Sequence, residues 1–232
     1  MEPAINLLKR GFAVVSPDYT LSTNASFPTQ IYELKAANRY IRANAGKYRL
    51  DPARIALMGE SAGAHLAALC ATTAAVGLLE NDGFGNENYD STVQAVIALY
   101  CPSDLAKFDI QFRILGIKPD IVDNTDPDTP LGLLLGHISL NEIPETVYQA
   151  SPIHYVSKKS PPFLFLHGTR DATVPILQSL DFAVELASKI GVENVEHHIV
   201  EGAEHTIFDF ESEELYDMEE EFLRKHLRGG LS

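Results

Sequence analysis

One short stretch, IALMGESAGAHLAAL from Ile55 to Leu69, restricts the fold of this chain more than any other part of its sequence. A compact apolar run leads into a Gly-x-Ser-x-Gly turn, and an alanine-rich helical pattern follows. Glycines at positions 59 and 63 suit a turn too tight for side chains, with Ser61 held out at its tip. Such a turn carries backbone strain, which tends to persist where a function requires it. The stretch therefore predicts a strand, a sharp turn and a helix.

Segments typical of strands and of helices alternate along the rest of the chain. The segments that favour strands, mostly continuous apolar runs as in parallel sheets buried on both faces, are FAVVSPDY, IALMG, VQAVIALYCP, PFLFLHG and VEHHIV. The helical patterns are FPTQIYELKAANRYIRANAGKY, SAGAHLAALCATTAAVGLL, PILQSLDFAVELASKIG and SEELYDMEEEFLRKHLRGG. This alternation predicts an α/β fold in which helices flank a mostly parallel sheet.

The length of 232 residues favours one domain, residues 1–232, with a substantial buried core. An irregular stretch at about 104–160 interrupts the alternation, and KPDIVDNTDPDTP lies at its middle. A long insertion in a compact α/β domain is more often a cap or a substrate loop than a linker. We expect that role for residues 104–160.

The charge of the chain argues against two classes of partner. Its formal net charge is −14, from 32 acidic and 18 basic residues, so nucleic-acid backbones and anionic membranes would repel it. No apolar run has the length of a transmembrane span, and Lys9 and Arg10 break the apolar start, unlike a secretory signal. We therefore expect a cytoplasmic protein. Cys70 and Cys101 lie in apolar stretches without metal-ligand spacing, which predicts buried free thiols.

Two residues in separate loops could activate Ser61. A serine hydroxyl is a poor nucleophile until a base takes its proton, and the base needs an orienting acid. Asp171 follows the strand-like PFLFLHG, and His205 follows VEHHIV, so both are expected at the carboxyl edge of the sheet, where Ser61 also lies. The order Ser61, Asp171, His205 is that of a known α/β fold with this turn. We therefore predict a Ser–Asp–His catalytic triad.

The same residues also allow structural roles. Ser61 alone could be a simple turn residue, and Asp171 could cap the helix that follows it. His197 and His198 lie within a strand and are expected to fill structural positions, while His167 is expected to hydrogen-bond locally. If Ser61 is the nucleophile, it stands at a helix start, where the Ala62 N–H can donate to a developing oxyanion.

The sequence resembles α/β-hydrolase esterases of the hormone-sensitive-lipase-like and bacterial acetyl/feruloyl esterase (BD-FAE-like) type. The resemblance rests on LLKRGFAVVSPDYTLS, on FPTQIYELKAANRYIRANAGKYRLDPARIALMGESAGAHLAAL, on ASPIHYVSKKSPPFLFLHGTRDATVP and on VEGAEH. It implies hydrolysis of a small carboxylic ester through an acyl-enzyme, without metal or organic cofactor. Ser61 is then the nucleophile, His205 the general base and acid, Asp171 the orienting acid, and Ala62 an oxyanion donor. Short-chain acyl esters are the expected substrates.

The sequence departs from this family at two places. The family often has arginine where DYTLS has Thr20. In the family, LLKRGFAVV is preceded by a strand that ends in a His-Gly-Gly stretch, and this stretch completes the oxyanion hole. Here Met1 and Glu2 stand where that stretch should just have ended. We therefore expect a sheet without its N-terminal strands, and weakened turnover. FAVVSPDY would then pair directly with IALMG or leave an edge that another chain covers, which favours a homo-oligomer.

Alternatives to a serine carboxylesterase remain at this level. The resemblance extends to the plant gibberellin receptor, so a non-catalytic binding protein on a hydrolase scaffold is one of them. A peptidase of the prolyl-oligopeptidase type is a weaker one, because the chain has no propeller domain. Within residues 104–160, an apolar group either lines an acyl pocket or, more commonly for such residues, packs as core. Its members are Phe108, Phe112, Ile114 and Leu115.

Overall fold

The computed structural model describes residues 2–227, with the side chains of residues 2–4 and 82 left aside. Its strands are β1 (Ala56–Glu60), β2 (Ala95–Leu99), β3 (Phe163–Gly168) and β4 (Val195–Val200). Its α-helices are α1 (Glu2–Lys9), α2 (Thr29–Ala43), α3 (Ala45–Tyr48), α4 (Ala62–Val76), α5 (Phe108–Leu115), α6 (Pro130–Leu134), α7 (Pro144–Gln149), α8 (Leu177–Ile190) and α9 (Glu213–Leu227).

The four strands form one parallel sheet in the order β1-β2-β3-β4. Every residue of β2 and β3 is buried, as the continuous apolar runs predicted for strands covered on both faces. Because all strands run in the same direction, their carboxyl ends lie along one edge. Ser61, Tyr100, Asp171 and His205 all follow these ends.

Helices cover both faces of the sheet. On one face, α4 and α8 pack against Val96, Ala98, Phe163 and Phe165. On the other, α1 and α9 pack against the alternate residues of the same strands, because successive side chains of a strand point to opposite faces. The residues on this second face include Ala95, Ile97, Leu99, Leu164 and Leu166.

Helix α4 is buried nearly all round, from Ala64 to Ala74. Its inner side packs on the sheet, and on its outer side Leu66 and Leu69 share an apolar cluster with Ile31 of α2. A helix enclosed on all sides needs small side chains where its neighbours approach closely. This explains the alanine-rich pattern that follows Ser61.

Residues 104–160 fold into short helices and 3₁₀ turns that pack over α4. Phe108 and Phe112 are buried in the cluster that α4 shares with this segment, at 4% and 2% exposure, whereas Ile114 is 67% exposed. Of the two roles considered for these residues, the two phenylalanines therefore take that of core. His65 on α4 also contacts the segment, through Nε2 to the Ala150 carbonyl at 2.7 Å.

The prediction of a strand at FAVVSPDY is wrong. Residues 12–20 form no strand, although Phe12 and Val14 pack inward and Ala13 and Val15 are exposed. The alternation of a strand is present, but a strand also requires a neighbouring edge within hydrogen-bonding reach. In the described part of the chain, β1 pairs with β2 alone, so the outer edge of β1 is open and residues 12–20 make no strand pairing with it. The homo-oligomer expected from such an open edge stays a prediction.

Both cysteines are buried free thiols, as predicted. Burial raises the pKa of Cys70 to about 12, and it also raises the pKa of Cys101, so neither is a ready nucleophile. Among residues 2–227, no helix has both the length and the apolar character needed to cross a membrane.

Helix α9 places a carboxylate, Glu219, on its buried face. Glu219 is 1% exposed, and neither of its carboxylate oxygens has a hydrogen-bond partner within the described residues. Burial raises its pKa from 4.5 to about 7, against the opposing attraction of Arg10. Between these two pH values the folded chain keeps a proton that the unfolded chain releases. The free energy of unfolding therefore falls as pH rises through this window, and above it the full penalty of a buried charge applies.

Replacement of Glu219 by methionine should stabilise the fold, and more strongly at about pH 8 than at about pH 5. From the pKa difference, the two gains should differ on the order of 2 kcal/mol in free energy of unfolding. Urea unfolding of both chains at each pH measures this. The matched control is Glu221→Met, because Glu221 is exposed on the same helix. Equal gains at both pH values would contradict the assignment.

Candidate active site

Ser61 lies in a strained turn between β1 and α4. Its backbone has φ 50° and ψ −119°, a conformation that is uncommon for any residue with a side chain. Two hydrogen bonds hold it there: the Ser61 N–H donates to the Leu99 carbonyl at 3.0 Å, and the His65 N–H donates to the Ser61 carbonyl at 3.0 Å. The strand, turn and helix predicted from the sequence are all present.

The two glycines of the turn differ in their steric role. A Cβ at Gly59 would lie 2.4 Å from the backbone C and O atoms of Gly63, so β1 and α4 approach too closely for any side chain there. A Cβ at Gly63 would meet nothing within 4 Å. The prediction that both positions exclude side chains therefore holds for Gly59 and is wrong for Gly63.

The predicted triad residues come together at the carboxyl edge of the sheet. His205 Nε2 lies 2.8 Å from Ser61 Oγ, and His205 Nδ1 lies 2.7 Å from Asp171 Oδ2. The loops that carry Asp171 and His205 are in close contact, since the Arg170 N–H donates to the Ala203 carbonyl at 2.9 Å. A Cβ at Gly168 would lie 2.2 Å from that same carbonyl oxygen. Gly168 is therefore needed for this approach of two loops.

Asp171 is a buried carboxylate with four hydrogen-bonding neighbours. Its Oδ1 accepts from the N–H groups of Thr173 and Val174 at 2.9 and 2.8 Å, which closes the turn after it. The alternative prediction, that Asp171 caps the following helix, is wrong, because the N-cap of α8 is Ile176. Its Oδ2 lies near both His205 and His167. Burial alone would raise the pKa of Asp171, but the hydrogen bonds and charges of His167 and His205 outweigh it, and the pKa lies well below its usual value.

The ionised state of Asp171 decides the tautomer of His205. An ionised carboxylate can only accept hydrogen bonds, so Nδ1 of His205 must carry the proton that lies between them. Nε2 is then bare and accepts from the Ser61 hydroxyl. Nε2 of His205 therefore faces the Ser61 hydroxyl in a state that can accept its proton.

A buried hydrogen-bond network lies behind Asp171. Of this network, the sequence predicted only that His167 would hydrogen-bond locally. His167 Nδ1 lies 2.7 Å from Ser179 Oγ, and its Nε2 lies 3.0 Å from the Val174 carbonyl and 3.4 Å from Asp171 Oδ2. Ser179 Oγ also lies 2.9 Å from His197 Nε2. His197 thus has the structural role expected of it. The only sequence signal for this network was His167 near the end of PFLFLHG. Its partner Ser179 lies twelve positions further along the chain, on α8.

The segment 104–160 reaches the loop of Asp171 through Asp120. Thr173 Oγ1 donates to Asp120 Oδ2 at 2.7 Å, and the Asp120 N–H donates to the Ala172 carbonyl at 2.8 Å. One end of the segment therefore borders the group of residues around Ser61. Ala62 is exposed as the first residue of α4, and the N–H of a first helical residue has no acceptor within its own helix.

A comparison with protein-family models shows which family this chain is related to. The model of the BD-FAE family matches residues 1–186, most of the chain. The chain belongs to the BD-FAE family. The matched range includes Ser61 and Asp171, whereas His205 lies beyond it.

Curated relatives of this BD-FAE chain include esterases of Mycobacterium tuberculosis. It is 32% identical to esterase LipC over 184 residues, which are 78% of this chain and 41% of LipC. It is 33% identical to esterase LipQ over 182 residues, which are 78% of this chain and 39% of LipQ. The BD-FAE chain thus spans less than half the length of these relatives.

Solved structures show the fold class of the BD-FAE chain. It matches a truncated form of a carbohydrate esterase from gut microbiota with a TM-score of 0.83 and 30% identity, over 97% of this chain and 77% of the other. It also matches a bifunctional GH43-CE protein of Bacteroides eggerthii with a TM-score of 0.82 and 30% identity, over 95% of this chain and 28% of the other. The predicted α/β-hydrolase fold is confirmed.

The difference between the two glycines of the turn can be tested directly. Gly59→Ala should destabilise the chain strongly or prevent folding, because its Cβ would overlap backbone atoms that cannot move aside. Gly63→Ala is the matched control and should fold with unchanged or slightly raised stability, since alanine is favoured over glycine in a helix by roughly 1 kcal/mol. Thermal unfolding followed by circular dichroism compares them. Equal stability of the two variants would contradict the close approach at Gly59.

Proposed function

We propose that this chain is a serine carboxylesterase that hydrolyses small, short-chain acyl esters through an acyl-enzyme intermediate. The observation that carries the proposal is the hydrogen-bonded series from Asp171 through His205 to Ser61, at 2.7 and 2.8 Å. Membership of the BD-FAE family and similarity to proteins named esterases support it.

In the first half of the reaction, His205 Nε2 takes the proton of Ser61 Oγ as that oxygen attacks the ester carbonyl carbon. The negative charge that develops on the carbonyl oxygen is stabilised by the Ala62 N–H at the start of α4. Asp171 holds the imidazole in place and stabilises the imidazolium that forms, without itself taking the proton. The imidazolium then donates its proton to the leaving alcohol oxygen, which leaves an acyl group on Ser61.

In the second half, a water molecule attacks the acyl carbon while His205 Nε2 takes a proton from it. The intermediate collapses with release of the carboxylic acid, and the proton on His205 returns to Ser61 Oγ. The low pKa of Asp171 means that its charge persists through both halves. We assign Ala62 as an oxyanion donor.

Packing around α4 supports a preference for short acyl chains. Phe108 and Phe112, which could have lined a long acyl pocket, are buried within the core instead. We propose that residues 104–160 act as a substrate loop at the end where Asp120 contacts the Asp171 loop. Because the chain is similar to a carbohydrate esterase, esters whose alcohol part is a carbohydrate hydroxyl are also worth testing. A cytoplasmic location is part of this proposal.

Substitution of the three residues tests the mechanism. Ser61→Ala should abolish ester turnover, His205→Ala should be nearly as severe, and Asp171→Asn should cost on the order of ten-thousandfold, because the amide favours the wrong tautomer of His205. All three should remain folded by circular dichroism. Ser188→Ala is the control, since Ser188 is exposed on α8. Full activity of Asp171→Asn would remove that residue from the mechanism.

A fluorophosphonate distinguishes the esterase from a binding protein on the same scaffold. Mass spectrometry should find the label on Ser61 in the native chain and none in Ser61→Ala. An unlabelled native chain that still binds small esters would favour the binding protein instead. A labelled chain that cleaves peptide anilides faster than esters would favour the peptidase.

Rates on p-nitrophenyl esters from acetate to palmitate test the acyl preference. We expect kcat/KM to be highest for the shortest acyl chains. Burial of a methylene group contributes roughly 0.8 kcal/mol, and methylene groups that remain in water contribute nothing of this kind. Release of acetate from acetylated sugars tests the alcohol half in parallel. A maximum at long chains would contradict the proposed specificity.

A further inference from the structure

Tyr100 is a buried aromatic residue at the same sheet edge, and the mechanism above does not use it. It follows β2 directly and is 2% exposed. Its φ is 38°, in the left-handed region that bulky side chains rarely adopt. Its N–H donates to the Leu166 carbonyl at 2.8 Å, which holds this backbone conformation. Strain of this kind tends to be retained where the position of a side chain matters.

The ring of Tyr100 is fixed at both ends. Its hydroxyl donates to the carboxylate of Glu60, the residue that precedes Ser61. Burial and this hydrogen bond raise the pKa of the Tyr100 phenol, which therefore stays protonated as a donor. Phe210, from the turn that follows the His205 loop, packs against the ring with centroids 5.1 Å apart. The side chain of Tyr100 thus joins the end of β1, just before Ser61, to the turn after His205.

The same ring lies against the imidazole of His205. The two ring centroids are 4.5 Å apart, with 61° between the planes. The hydrogen bonds of His205 to Asp171 and Ser61 act in the plane of the imidazole, at Nδ1 and Nε2. They leave the ring able to tip about the line that joins these two atoms. A rigid aromatic ring at its side restricts that motion, and its π-electrons also attract the charged imidazolium.

We propose that Tyr100, anchored by Glu60, is a positioning residue that keeps His205 aligned between Asp171 and Ser61 and stabilises its protonated form. The proposal rests on the proposed function and extends it to a residue outside the triad. In this proposal the aromatic ring of Tyr100 positions His205, and the Tyr100 hydroxyl only holds that ring in place.

Two variants separate the ring from its hydroxyl. Tyr100→Phe keeps the ring and should retain kcat within about threefold. Tyr100→Leu removes the ring and should lower kcat by roughly tenfold to a hundredfold with little change in KM, because small misplacement of a catalytic group is costly. The phenylalanine variant is the matched control, since both lose the hydrogen bond to Glu60. Circular dichroism checks folding, and Tyr100→Met takes the place of the leucine variant if that one does not fold.

The pH dependence gives a readout that a purely structural role would not move. Without the ring, the imidazolium is less stable, so the acid limb of the kcat/KM profile should shift to lower pH by a few tenths to about one pH value relative to Tyr100→Phe. Asp171, which contacts His205, and Glu60, which contacts the Tyr100 hydroxyl in the native chain, are present in both variants. Equal kcat and equal acid limbs in the two variants, in an active enzyme, would overturn the proposal.

Nuclear magnetic resonance separates this failure from failure of the proposed function. The imidazole signals of His205 report its titration without any turnover, and they should titrate at lower pH in Tyr100→Leu than in Tyr100→Phe. If the native chain hydrolyses no ester but this difference is found, the ring contact stands and the proposed function fails. If the two variants titrate alike, the ring contact is wrong whatever the activity.

Discussion

The approach of helix α4 to strand β1 at Gly59 is the constraint on which the rest of the structure depends. No side chain fits between them, because a Cβ would lie 2.4 Å from the backbone of Gly63. This contact forces the chain to reverse within one residue, and Ser61 takes the strained backbone conformation that results. It also directs α4 into the interior, between the sheet and residues 104–160, where alanine is required. One steric contact thus places Ser61 and favours small side chains in the helix behind it.

Charge at the site is organised around a single buried carboxylate. Asp171 has no exposed side-chain surface, and burial of an ionised group is costly unless hydrogen bonds compensate for it. Two backbone N–H groups and two histidines provide that compensation. Since the carboxylate stays ionised, His205 is held in the tautomer that leaves Nε2 bare toward Ser61. His167, Ser179 and α8 contribute by holding the loop that carries Asp171.

The site is also connected to parts of the chain that are distant in sequence. Asp120 links residues 104–160 to the Asp171 loop, and Tyr100 links Glu60 to His205. Both links cross the carboxyl edge of the sheet, where every loop from a parallel strand emerges. A parallel sheet brings these loops together by its geometry, so groups that are far apart along the chain can form one hydrogen-bonded site.

The sequence by itself determined the elements that depend on local pattern. Four of the five predicted strands form, and the Gly-x-Ser-x-Gly turn is where the pattern placed it, because steric limits at Gly59 act between residues close in the chain. Ser61, Asp171 and His205 were recognisable because each follows a strand-like run. The tertiary structure alone decided the rest. Residues 12–20 alternate like a strand but do not pair with the open edge of β1, and an alternating pattern alone does not decide whether such pairing forms. The contacts of Ser179 with His167, and of Tyr100 with His205, join residues from different elements, and only packing determines which of them meet.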